Sequence, residues 1–153
     1  MEFSGKKVTV VGTGISGIGA VGLLNAVGAE VVLYDGNEKL KIEDIEKKLG
    51  TYKAEIVLGE LTKELTDSSD LLVISPGVPI DSPVVKAFEA AGVPVWGEVE
   101  LAYAFDKGKV LAITGTNGKT TTTALVGQIV GAYHKDTFVV GNIGNPYTTE
   151  VLK

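Results

Sequence analysis

A glycine run set between a strand and a helix leaves a chain few ways to fold, and the first thirty residues contain one. Residues 7–11 (KVTVV) are apolar and β-branched, which predicts a short strand. Gly12-Thr13-Gly14-Ile15-Ser16-Gly17 follows, a complete G-x-G-x-x-G, and the residues through Ala26 read as a helix with Ser16 as its N-cap. A second strand at 30–34 ends at Asp35, an acid about twenty residues beyond the loop. Strand, glycine loop, helix, strand and acid in that order predict a βαβ unit whose loop amides and helix N-terminus hold a phosphate.

The next sixty or so residues extend the same pattern toward a domain of ordinary size. Ile42, Ile45 and Leu49 lie on one face of a charged surface helix, and residues 55–58 read as a short strand. A weak helical turn is expected at 61–65. The uninterrupted apolar run Leu71–Ile74 (LLVI) is what a strand buried on both faces of a parallel sheet requires. Ser75-Pro76-Gly77-Val78-Pro79 turns out of that strand's carboxyl end, where ligands of open α/β sheets lie. A helix over 83–91 stopped by Gly92, and a strand at 95–96, complete the set. The expected fold is α/β, with a Rossmann-like parallel-sheet domain over residues 1–93.

A second glycine loop changes the reading. Residues 110–113 are apolar and predict a strand, and Gly115-Thr116-Asn117-Gly118-Lys119-Thr120-Thr121 leads into a helix over about 119–132. Glycine amides and a helix N-terminus suit phosphate oxygens, Lys119 suits the terminal phosphates of a nucleoside triphosphate, and the Thr120 hydroxyl suits Mg²⁺. The spacing is shorter than the common Walker motif. A further strand is expected at 137–140, before Gly141-Asn142-Ile143-Gly144-Asn145-Pro146. His134, the sole histidine, sits in a polar turn and reads as a solvated side chain. Two strands and one helix cannot bury both faces of a parallel sheet, so residues 94–153 are expected to be the beginning of a phosphate-loop domain in a longer protein. Taken alone, that stretch should expose apolar surface and strand edges, which favours partial order or self-association.

Composition narrows the partners. The net charge is −5 and all 14 basic residues are lysines, so there is no clustered cationic face for nucleic acid. Any phosphate site built from this chain must use backbone amides, helix ends and lysine in place of guanidinium clamps. There is no cysteine, no signal-peptide pattern at the start and no membrane-length apolar run, which points to the cytoplasm.

Five sequence words, GTGISG at 12–17, SPGVP at 75–79, GEVEL at 97–101, GTNGKTTT at 115–122 and GNIGNP at 141–146, run in this order almost end to end. Together they resemble the Mur ligase family, and within it the D-glutamate-adding branch; the shortened loop spacing is that family's own pattern. The resemblance implies an ATP-dependent, Mg²⁺-assisted ligase of peptidoglycan precursor synthesis. It would join D-glutamate to UDP-N-acetylmuramoyl-L-alanine through an acyl phosphate. By the same resemblance the UDP diphosphate would lie over Gly14, Ile15, Ser16 and Gly17. Uracil would lie near Asp35, Gly36 and Asn37 and the loop of Ser75, Pro76 and Gly77. MgATP would sit at residues 115–121, with Lys119 catalytic and Thr120 the metal ligand. Asn142 would contact the muramoyl side. Family members often carry an arginine where this chain has Gly36 and Asn37. The resemblance places the acidic magnesium ligand, a modified lysine, a histidine and the D-glutamate-reading domain beyond Lys153, so the 153 residues alone are expected to be inactive.

Two other readings stand beside it. Gly12–Gly17 with Asp35 also suits an NAD or FAD module of an oxidoreductase, which leaves the second loop unexplained. A small-molecule kinase or switch-type NTPase respects Lys119 and Thr120 and leaves the first domain without a purpose.

Overall fold

The computed structural model describes residues 3–141 and 143–153. Five strands form one all-parallel sheet in the order β3-β2-β1-β4-β5. They are β1 (Lys7–Val11), β2 (Glu30–Asp35), β3 (Glu55–Leu58), β4 (Leu71–Ile74) and β5 (Val95–Gly97). Between them run α1 (Ile15–Ala26), α2 (Ile42–Leu49), α3 (Lys63–Ser68) and α4 (Pro83–Ala90), and α5 (Glu98–Tyr103) follows β5 directly. The chain builds outward from β1 to β3, returns to the other side of β1 as β4, and finishes at β5. The order therefore reverses between β1 and β4, which opens a crevice at their carboxyl ends.

The alternation of side chains explains why the central strands are apolar throughout. Val8 and Val10 of β1, Val31 and Leu33 of β2, and Leu71 and Val73 of β4 join a core with Ala20, Val21, Leu23 and Leu24 of α1, Ile45 of α2 and Leu101 of α5. Val11, Val32, Tyr34, Leu72 and Ile74 point the other way, onto Leu65 of α3 and Val85 and Phe88 of α4. Both faces are covered, so each strand must be apolar at successive positions. The buried exception is Thr9, whose hydroxyl shares a 2.8 Å hydrogen bond with Ser69; Ser69 in turn donates to the Leu65 carbonyl at 2.7 Å. The polar group is thus satisfied inside an apolar layer.

The helical turn expected at 61–65 is α3, which starts later because the Thr62 hydroxyl accepts from the Leu65 amide (3.3 Å) and caps it. Helix α1 corrects an expectation: its N-cap is Gly14, with no side chain capping it, and Ser16 lies in the first turn. The sheet takes in Val95–Gly97, and Leu101 and Ala102 of α5 are fully buried against it. The packed unit therefore continues past the boundary expected near Pro94.

Beyond α5 the chain has a different character. The strands expected at 110–113 and 137–140 do not form. Among the described residues, one parallel bridge forms there, between Val140 and Asn145. A strand without a neighbour has no partner for its backbone groups, and among the described residues β5 pairs with β4 and with neither segment. Helix α6 (Lys119–Tyr133) has no buried residue, and Leu111, Leu125 and Tyr133 are exposed. The chain then comes back: the single turn α7 (Tyr147–Glu150) is buried at Tyr147, Thr148 and Glu150 and packs on α1 and α5. Burial, reinforced by a hydrogen bond to Asp106, pushes the Tyr147 phenol far above its ordinary range.

Asp70 fastens the start of β4 to β1. Its carboxylate accepts from the Lys7 amide (2.9 Å) and from the Lys6 ammonium (3.2 Å). The backbone bond, followed by the lysine, holds its pKa below the usual carboxylate value. A group whose folded pKa is depressed stabilises above its unfolded pKa and loses that contribution as pH falls through the folded one. Asp70→Asn should therefore lower stability at neutral pH, and the gap from wild type should close on acidification below about pH 4. Urea melts at pH 7 and pH 3 measure this; a gap that is constant or widens toward acid would contradict it.

Candidate functional site

The crevice at the switch point is a cleft of about 590 Å³, and three loops far apart in sequence line it. Gly12, Thr13, Gly14, Ile15 and Ser16 form one wall with Asp35. Ser75, Pro76, Gly77 and Val78 form the second, and Gly141, Gly144 and Pro146 the third. The lining is largely backbone and small side chains, as expected for a surface that meets a ligand through amides.

Two glycines make the first wall possible. Gly12 leaves β1 at φ +105°, a conformation that side chains rarely adopt, and a Cβ there would stand 2.9 Å from the Ser75 hydroxyl. At Gly17, a Cβ would stand 1.9 Å from the Gly12 carbonyl oxygen. Helix α1 can thus begin directly against the end of β1, presenting its first-turn amides, which have no intrahelical acceptors, toward the cleft. Gly14 is the opposite case, since a Cβ built there meets nothing within 4 Å.

Asp35 shapes this wall. Its Oδ2 accepts from the amide and hydroxyl of Thr13 (3.3 and 3.0 Å), and its Oδ1 accepts from the Asn37 amide (3.1 Å). Lys48 adds a cation from α2, donating to the Thr13 carbonyl at 3.5 Å. The Asp35 charge, after burial, also raises the pKa of Tyr34, whose hydroxyl donates to the Gly59 carbonyl (2.7 Å).

Of the residues singled out from sequence, Gly14, Ile15, Ser16, Asp35, Ser75, Pro76 and Gly77 meet in this cleft. Gly17 lies buried beneath it, and Gly36 and Asn37 are exposed at its edge without lining it. Asn142 lies outside the described residues, although Gly141 and Gly144 on either side face the cleft. Sequence reasoning did not single out Thr13, whose bond to Asp35 appears only once β1 and β2 are paired.

The second glycine loop lies apart from the cleft. Gly118 is left-handed at φ +77° and caps α6, and residues 115–121 are all exposed. The Lys119 ammonium folds back over the loop to the carbonyls of Gly115 and Thr116. Thr120 and Thr121 stand in the first helical turn. His134 ends α6, exposed as expected. No group of three or more acidic or histidine side chains is placed to hold a metal among the described residues.

The family model described as the Mur ligase MurD-like N-terminal domain matches residues 6–97, which take in β1 through β5. This chain belongs to the Mur ligase MurD-like family. A Mur ligase relative from Lachnospira eligens, named UDP-N-acetylmuramoylalanine–D-glutamate ligase, is 68% identical over 153 residues, covering 100% of this chain and 34% of that protein. One of the same name from Lachnoclostridium phytofermentans is 57% identical over 152 residues, again 34% of its length. The chain thus spans about a third of the curated Mur ligases it matches. A solved pseudomurein peptide ligase type C from Methanothermus fervidus shares the fold, with a TM-score of 0.57 at 24% identity over 95% of this chain and 31% of that one. Among the described residues no helix is long and apolar enough to cross a membrane.

The two glycines of the first wall make different predictions. Gly17→Ala drives a methyl into backbone that cannot yield and should destabilise the protein by about 1–3 kcal/mol. Gly14→Ala should leave stability within about 1 kcal/mol, the helix-end cost of losing a glycine cap being small. Equal urea midpoints for the two variants would show that α1 does not abut β1 as described.

Proposed function

We propose that this chain supplies the UDP-binding cleft and the ATP loop of a cytoplasmic ligase that adds D-glutamate to UDP-N-acetylmuramoyl-L-alanine. The observation that carries the reading is the meeting of the GTGIS and SPG loops with Gly141, Gly144 and Pro146 in one cleft at the sheet's switch point. The diphosphate would lie on the amides of Gly14, Ile15, Ser16 and Gly17, since the chain has no arginine to clamp it. Uracil would sit toward Asp35, Gly36 and Asn37 and the loop of Ser75, Pro76 and Gly77, with the muramoyl part toward Asn142.

The second loop fits a nucleoside triphosphate. Lys119 bonds to the loop's own carbonyls, so an incoming phosphate would exchange those partners for stronger, charged ones. The first-turn amides of α6 at Lys119, Thr120 and Thr121 have no intrahelical acceptors and would suit the same phosphate. Thr120 would be the protein ligand to Mg²⁺. ATP, when bound, would supply the phosphoryl group that turns the substrate carboxylate into an acyl phosphate, leaving ADP, and the amino group of D-glutamate would then displace phosphate to form the amide. Lys119 would offset charge on the phosphoryl group as it moves. We place the recognition of D-glutamate outside these 153 residues, and expect no complete ligase reaction from them alone.

The competing reading, an NAD or FAD module, rests on Asp35 at the end of β2. Both oxygens of that carboxylate already accept bonds from Thr13 and Asn37, which suits a role in shaping the loop. Calorimetric titration of the chain with UDP and with NADH separates the two. UDP should bind and NADH should not, and Gly14→Val should remove UDP binding while leaving the thermal melt in place. Binding of NADH alone would transfer the site to the competing reading.

A further inference from the structure

The third wall of the cleft presents a physical problem. Gly141, Gly144 and Pro146 face the cavity, and among the described residues of their loop the regular structure is one bridge, Val140 to Asn145. Within it the Gly141 amide also donates to the Asn145 carbonyl, at 3.3 Å. The turn after it supplies the hold: α7 is four residues long, yet Thr148 is fully buried. The amide and hydroxyl of Thr148 both donate to the same oxygen, Oε1 of Glu98, at 3.3 and 3.0 Å. Glu98 is the first residue of α5 and only 4% exposed, a burial that a carboxylate tolerates only with such donors.

The seat for α7 is on α1, the helix that begins at the first wall. A Cβ at Gly19 would stand 2.7 Å from the Thr148 hydroxyl and 3.0 Å from that of Thr149, so α7 rests directly on the α1 backbone. One rigid helix therefore carries the first wall at its N-terminus and the support of the third wall one turn further on. Two more ties fasten the same segment. The Asn145 amide donates to Glu150, which also receives Lys153 (2.9 Å), and the Tyr147 hydroxyl donates to Asp106.

We propose that the Glu98–Thr148 contact is the anchor that sets Gly141, Gly144 and Pro146 over the cleft, making both residues positioning residues for the sugar side of the substrate. The inference rests on the UDP-substrate reading of the cleft given above. On that reading UDP alone would lie on the first and second walls and would not need the anchor. A ligand that extends past the diphosphate to the 141–146 loop would.

Calorimetry on the 153-residue chain, with UDP and UDP-N-acetylmuramoyl-L-alanine as parallel probes, tests this. Thr148→Val keeps the side-chain volume and removes one buried donor, and Glu98→Ala removes the acceptor. Each should weaken the muramoyl ligand roughly tenfold, the scale of a lost buried hydrogen bond to a charged group, and leave UDP within about twofold. Thr148→Ser, which restores the hydroxyl, should bind both as wild type does. If Glu98→Ala does not fold, the Thr148 pair carries the comparison. Equal losses for both ligands would reduce the contact to general stability and overturn the proposal, as would variants that bind the muramoyl ligand normally. A wild-type chain that binds neither probe would instead remove the underlying reading, and the anchor's proposed role with it.

Discussion

No side chain fits between the carbonyl of Gly12 and the first turn of α1, and the form of the cleft depends on that contact. Because α1 starts against the end of β1, its unpartnered amides open onto the carboxyl edge of the sheet. Because β4 lies on the other side of β1, the Ser75 turn arrives at the same edge, close enough that its hydroxyl touches the space a side chain at Gly12 would take. Asp35 reaches in from β2 and ties Thr13 down. The three strands are held in register by alternating apolar residues on two faces, so the loops at their ends have little freedom to arrange themselves otherwise.

The same helix extends this order to a distant part of the chain. Gly19 gives α7 a seat on α1, and Glu98 gives it a buried acceptor, so the loop before α7 stands at the cleft although α6 itself has no buried residue. Residues 107–139 thus lie between two well-packed points, Phe105 and Asp106 on one side and Val140 and α7 on the other. Lys119 and its loop are formed locally, by a left-handed glycine and the start of a helix, and need no surrounding sheet to take that shape.

Much of the first half was legible in sequence because its signals are local and repeated. The LLVI run, the β-branched KVTVV and the glycine loop each name an element and its neighbours, and the cleft residues Gly14, Ile15, Ser16, Asp35, Ser75, Pro76 and Gly77 can be placed from the strand ends alone. The rest depends on partners that periodicity does not name. Residues 110–113 and 137–140 have strand-like composition, but a strand exists through its neighbour, and none is present among the described residues. Helix α7 is four residues long and carries no period, and its acceptor Glu98 is 50 positions before Thr148. Ser16 has the chemistry of an N-cap, but the turn at Gly12 starts the helix earlier, which leaves its amides open to a ligand.

The backbone of the first glycine loop, with the two loops facing it, is proposed to receive the UDP half of a substrate. Backbone amide NMR of the 153-residue chain during titration with UDP-N-acetylmuramoyl-L-alanine tests it most directly. The largest shift changes should fall at residues 12–17, 75–78 and 141–144, with residues 115–121 unmoved. Changes confined to residues 115–121, or none at the first glycine loop under saturating ligand, would contradict the account.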